Sequence, residues 1–100
     1  MKIKFKEGVV LKELNDPLLK MLEGIDKVFL QMGHVPTITS VNDGKHMVGS
    51  MHYINKAIDL RVKDLPLEQW AVVANRIKSI LGPEFDVILE KDHIHVELDT

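Results

Sequence analysis

The stretch FDVILEKDHIHVEL, residues 85–98, decides the fold. Its second half alternates: Ile94, Val96 and Leu98 fall on one side of an extended chain and His93, His95 and Glu97 on the other, because successive strand side chains point to opposite faces. Its first half, residues 85–90, is a short, nearly continuous apolar run. Lys91-Asp92 is then a two-residue connection of the length that turns a strand back as a hairpin, which sets Glu90 beside His93. Upstream, Ala57-Ile58-Asp59-Leu60-Arg61-Val62 alternates in the same way. Ile58, Leu60 and Val62 form its apolar side, and Ala57, Asp59 and Arg61 face the other way. Residues 37–41 are a further strand candidate, followed by a loop over 42–49 rich in turn residues.

Two segments follow the helical period instead. After Asn15-Asp16-Pro17, which offers an N-cap and a proline for the first turn, Leu18, Leu22, Ile25, Phe29 and Met32 recur at three- and four-residue steps until Gly33. This predicts a helix over 17–32. A second begins near Pro66 and carries Leu67, Trp70, Val73 or Ala74, Ile77 and Leu81 on one face before Gly82-Pro83 stops it. A Trp inside a helical apolar stripe reads as packing, not as the wall of a binding site. Strands with two main helices beside them make an α+β domain with an antiparallel sheet.

The 100 residues, 45% hydrophobic and 28% charged, fit one domain over 1–100. Thirteen Lys+Arg against fifteen Asp+Glu leave a formal charge of -2, which argues against nucleic acid as a partner. No window approaches the roughly 18 to 20 apolar residues that span a bilayer, so no membrane segment is expected. Lys4, Lys6 and Glu7 interrupt any signal-peptide-like run at the start. Without cysteine, a metal would have to be held by His, Asp or Glu.

His52, Asp59, His93 and His95, with Asp92 and Glu90 nearby, form the one constellation that composition does not explain. A catalytic zinc needs three protein ligands and an open position, and His52-x6-Asp59 followed by His95 supplies such a set. The plainer alternative is that these polar side chains only hydrogen-bond to one another, since His-x-His on a strand is common. His34, just after the helix stop, reads as an ordinary surface residue. His46 lines the cleft or caps its loop with equal reason, and partial burial accounts for Tyr53. Ser50 has no arranged base or oxyanion motif and suits a loop or substrate hydrogen bond, not a nucleophile.

The segment Ser50-Met51-His52-Tyr53-Ile54-Asn55-Lys56-Ala57-Ile58-Asp59 resembles the S-x-H-x-x-G-x-A-x-D motif of the zinc D-alanyl-D-alanine carboxypeptidase and peptidoglycan endopeptidase family, whose fold is shared with the hedgehog signalling domain. Asp92-His93-Ile94-His95 is similar to that family's second segment, with an acid three residues before the last ligand. The likeness runs over about 37–97, and both segments occur in the family's order. It implies a Zn2+ ion on His52, Asp59 and His95, a general base at Asp92 or a nearby acid, and His93 close by as a polarising or supporting group. Asn55 stands where the family has Gly, and Asn is the residue that best tolerates a positive φ there. The family's upstream Arg for a substrate carboxylate has no counterpart before Arg61, which leaves Lys45 and Arg61 as substitutes.

The resemblance implies a zinc-dependent peptidase, a hydrolase acting on amide bonds of peptidoglycan stem peptides or crosslinks, as carboxypeptidase or endopeptidase. Zinc polarises the scissile carbonyl while a carboxylate carries the proton from water to the leaving amine. For that carboxylate the family spacing selects Asp92, and the hairpin geometry offers Glu90. The expected setting is that of a phage endolysin, made in the cytoplasm without a signal peptide and acting at the cell wall after release, with the oligomeric state left open and a monomer favoured. The alternative from another class is a zinc-stabilised, non-catalytic binding module of the hedgehog-like fold.

Overall fold

The computed structural model describes residues 2–9, 16–42 and 57–99. Helix α1 spans Asp16–Gln31, with Asp16 in its first turn where a negative charge complements the helix dipole. The stripe Leu18, Met21, Leu22, Ile25, Val28 and Phe29 is buried. Gly33, at φ +77°, ends the run in the left-handed conformation that glycine adopts without strain, and the His34 N–H donates back to the Phe29 carbonyl at 2.9 Å. The second helical segment divides in two. Pro66 is extended at ψ 140°, a single tight turn covers Leu67–Gln69, and the regular helix α2 runs over Trp70–Leu81. Trp70 is half-buried against the core and its indole N–H donates to the Leu65 carbonyl at 3.0 Å, so it packs as the apolar stripe predicts. The helices meet closely at Gly24, where an added Cβ would lie 2.7 Å from the Leu81 Cδ2 methyl.

The strands are β1 (Lys4–Phe5), β2 (Thr37–Asn42), β3 (Ala57–Arg61), β4 (Phe85–Leu89) and β5 (His93–Leu98), in the spatial order β1-β2-β3-β5-β4. The expected purely antiparallel sheet is corrected here: β1 lies parallel to β2, pairing Lys4 with Thr37 and Phe5 with Ile38. Parallel pairing requires a long crossover, and α1 lies between these two strands in sequence. The other pairs are antiparallel, so the domain is α+β with a five-stranded mixed sheet and two helices. The hairpin closes as the spacing predicts, with the Glu90 N–H donating to the His93 carbonyl at 2.8 Å across Lys91-Asp92.

Ile38, Ile58, Leu60, Ile94 and Val96 supply the apolar face of the sheet, buried in one core with the inner faces of α1 and α2. Each fully buried residue of this kind contributes about 1.5–3 kcal/mol. The opposite face carries the polar residues. Among the described residues, no helix is long and apolar enough to cross a membrane.

Candidate functional site

The register of the three inner strands builds the polar face row by row. Across β3 and β5, Ala57 pairs with Glu97, Asp59 with His95, and Arg61 with His93. On the far side of β5, Ile88 of β4 pairs with His95 and Asp86 with Glu97. On the far side of β3, Ser40 of β2 pairs with Asp59. The register slips by one residue between Ile38 and Ser40, leaving Thr39 as an inserted residue whose hydroxyl donates to the Asp59 carbonyl at 3.3 Å. Such bulges re-aim side chains next to functional sites.

His95 is held at both ring nitrogens. Nδ1 lies 2.6 Å from Asp59 Oδ1, and Nε2 lies 2.8 Å from Glu97 Oε1. The residue is only 6% exposed and Glu97 only 3%. Burial pushes the His95 pKa down, but the hydrogen bonds to Glu97 and Asp59, with the charges of both carboxylates, outweigh it and hold the imidazole above its ordinary value. The two carboxylates therefore favour the protonated ring, which can donate an N–H to each of them.

His93, one row nearer the hairpin, is bracketed by three acids. Its Nδ1 lies 3.1 Å from Asp92 Oδ1, and its Nε2 lies 3.8 Å from Glu90 Oε1 and 3.9 Å from Asp59 Oδ1. The hydrogen bond from His93 holds the Asp92 carboxyl below its ordinary range, helped by the charges of His93, Lys63 and Lys91. Asp92 is therefore an ionised base at neutral pH. A cavity of about 310 Å³ opens beside these residues, lined by Asp59, Asp92, His93, Thr39, Arg61 and Lys63, with Lys6 entering from just beyond β1. Asp92 lines it, whereas Glu90 sits on the other side of His93 and does not. Three cations, Lys6, Arg61 and Lys63, thus share one cavity with the acids. Arg61 also lies 3.9 Å from Asp64, a solvent-exposed pairing that leaves its charge largely available.

Of the residues singled out by sequence, Asp59, His95, His93, Asp92, Glu90 and Arg61 converge on this one face. His52, Ser50 and Lys45 lie outside the described residues, as do His46, Tyr53 and Asn55. His34 is half-buried after α1 and lines no part of the cavity. Among the described residues no three His, Asp or Glu side chains form a metal-holding group. Asp59 and His95 do bring a carboxylate oxygen and an imidazole nitrogen, two donor types that zinc takes, together on adjacent strands, which is short of the three ligands that a catalytic zinc needs. Glu97, Lys6, Lys63 and Thr39 join the site without a role assigned from sequence. Glu97 had a signal, since His93-x-His95-x-Glu97 places all three on one face. Lys6 had only a partial one: it shares the lysine side of the alternating run Lys2-Ile3-Lys4-Phe5-Lys6, but its place at the cavity depends on the parallel pairing of β1.

Neither the protein-family models nor the curated proteins compared with this chain give a match.

Proposed function

We propose that this protein is a zinc metallopeptidase of the D-alanyl-D-alanine carboxypeptidase and endopeptidase type, with the hedgehog-like fold, hydrolysing amide bonds in peptidoglycan stem peptides or crosslinks. One observation carries the reading: Asp59 and His95 are joined across adjacent strands at 2.6 Å, beside a cavity that also holds the ionised Asp92. Asp59 and His95 would hold the metal together with His52. When bound, the ion supplies Lewis acidity, polarising the scissile carbonyl and acidifying water.

The chain's own groups do the rest. Asp92 takes a proton from the attacking water as its oxygen adds to the carbonyl carbon, then delivers that proton to the amine as the C–N bond breaks. His93 keeps Asp92 ionised and oriented through the 3.1 Å contact, and Glu90 steadies the other side of the His93 ring. Lys6, Arg61 and Lys63 give the cavity a cationic wall suited to the free carboxylates of a stem peptide. Action at the cell wall, in the manner of a phage endolysin, belongs to the same proposal.

The test is to incubate zinc-loaded protein with purified peptidoglycan and count the amines released, with metal analysis of the protein and a chelator-treated control. Release that depends on zinc is expected. Stoichiometric zinc with no released amine would overturn the peptidase reading in favour of a zinc-stabilised binding module, and protein that takes up no zinc would overturn both.

A further inference from the structure

We infer that the two edges of the sheet fit one another in different copies of the chain: β4 of one molecule takes β1 of a second as its next strand, antiparallel, so that the protein associates head to tail. Among the described residues β1 and β4 are the outer strands. They run antiparallel to each other, because β1 is parallel to β2 and every later step across the sheet, β2 to β3, β3 to β5 and β5 to β4, reverses direction. A second copy set beside the first in the same orientation therefore presents β1 to β4 with the polar faces on one side. The main-chain groups agree in phase as well. Lys4 and Lys6 donate their N–H groups inward, to the Pro36 and Ile38 carbonyls at 2.9 and 2.8 Å, and by alternation those of Ile3 and Phe5 point out of the edge. On β4 the Glu90 N–H points inward to β5, so Val87 and Leu89 are the residues whose main chain points out. Matching outward residues to outward residues sets Phe5 of the second copy opposite Val87, and its Ile3 opposite Leu89.

In that register the side chains agree on both faces. On the polar face Lys2 of the second copy meets Glu90 and its Lys6 meets Asp86, while the stem of its Lys4 crosses Ile88 with the amine between the two acids. On the core face its Ile3 and Phe5 meet Leu89 and Val87. Phe5, Ile88 and Leu89 are 40%, 50% and 38% exposed in the single molecule, and the pairing covers all three. Like edges do not fit. Two β1 strands paired about Lys4 set Lys4 against Lys4 and Lys2 against Lys6, and two β4 strands paired about Val87 set Glu84 against Glu90. Charge on a free edge ordinarily keeps strands apart, and here it does so for like edges while drawing unlike ones together. The contact is heterologous and open-ended, since each added copy leaves the same two edges free. With about five residues a side it falls short of the roughly 1,200 Å² of stable complexes, so the association is weak and depends on concentration.

The test is analytical ultracentrifugation of the full chain over a concentration series, with chelator present so that the outcome is independent of the zinc reading, for wild type, Phe5→Pro and Val87→Pro. Proline at either position removes one outward N–H and leaves the bonds inside the sheet untouched. Wild type is expected to form oligomers that grow with concentration and weaken as salt rises from about 0.05 M to about 0.5 M. Each variant alone is expected to associate at least about 10-fold more weakly, because the carbonyl facing the proline loses its donor. An equimolar mixture of the two should form a dimer and nothing larger, since Phe5→Pro keeps its β4 edge and Val87→Pro its β1 edge. If a proline variant lacks the wild-type circular dichroism spectrum, Lys4→Glu replaces Phe5→Pro and Asp86→Lys replaces Val87→Pro in the same scheme. Amide exchange of wild type should slow with concentration at Ile3, Phe5, Val87 and Leu89. Wild type that stays monomeric up to about 1 mM would overturn the inference and leave the edges to strands of another protein. Undiminished association of Phe5→Pro alone, or of Val87→Pro alone, would overturn it in favour of like edges pairing or of a contact elsewhere.

Discussion

Replacing Asp59 with asparagine tests the paired face without any metal. In the metal-free protein Asp59 Oδ1 lies 2.6 Å from His95 Nδ1 and accepts its N–H when the ring is protonated, and the substitution keeps the shape of the side chain while removing its charge. A hydrogen bond between charged partners contributes about 1.5–3 kcal/mol. The Asp59 side chain is 22% exposed, so screening brings the expected loss to about 1–2 kcal/mol. The loss depends on pH in a definite direction. The His95 pKa is raised in the folded state, so its stabilisation is fully present below the unfolded value of about 6.5 and disappears as pH rises through the folded value. Glu97 on the same strand and His93 at the next row also act on this ring or on its partner, and both stay in place in the variant. Asp59→Asn should therefore cost about 1–2 kcal/mol at pH 6, or roughly 4–16 °C in Tm for a domain of this size, and much less at pH 9. Urea unfolding with chelator present, followed by Trp70 fluorescence, measures both. An identical cost at pH 6 and pH 9 would refute the charged Asp59–His95 pair.

The remaining predictions concern the loaded site. Asp92→Asn at full zinc content should lower kcat by about 10²–10⁴-fold, and Glu90→Gln should lower it far less; normal turnover in Asp92→Asn would move the base to Glu90. Lys6→Ala, Lys63→Ala and Arg61→Ala should each raise KM for an anionic peptide with metal content unchanged, and an unaltered KM in all three would place the substrate carboxylate elsewhere. Chelation should lower the melting temperature, because zinc at 100 times its Kd adds about 2.7 kcal/mol to the native state. By metal analysis His52→Ala and His95→Ala should lose zinc while His34→Ala retains it, and full stoichiometry in both ligand variants would sink the assignment.

What is legible in the sequence divides along local and non-local lines. The stripe from Leu18 to Phe29 and the alternation in 57–62 and 93–98 are local periods, and the elements appear where those periods run. The two-residue connection at Lys91-Asp92 is also local, and its length alone places Glu90 against His93. The strand β1 is another matter. Lys2-Ile3-Lys4-Phe5-Lys6 alternates with a strand's period of two, but that period does not say that its partner is β2 or that the pairing is parallel. Without β1 the sheet reads as purely antiparallel, and Lys6 has no place in the cavity. The slip at Thr39 is non-local for the same reason, since only pairing with β3 reveals that one residue is extra.

The burial of the polar face shows a different limit. Alternation separates Ile94, Val96 and Leu98 from His93, His95 and Glu97, but it says nothing of how deeply the second set is buried. In the fold His95 and Glu97 are buried nearly as completely as the apolar residues between them. Burying two ionisable side chains is costly unless each finds a partner, and here they partner each other, with Asp59 completing the chain from the next strand. No single-residue pattern encodes that condition: it needs the acid two positions beyond the histidine and the acid directly across the ladder at once. A merely structural network satisfies it too, so burial by itself does not make this a metal site. The distinction lies at Nδ1. There the ring faces a partly exposed carboxylate beside a cavity, so the proposed metal would displace a proton on the side that water already reaches, and zinc uptake by the metal-free protein decides between a metal site and a structural network.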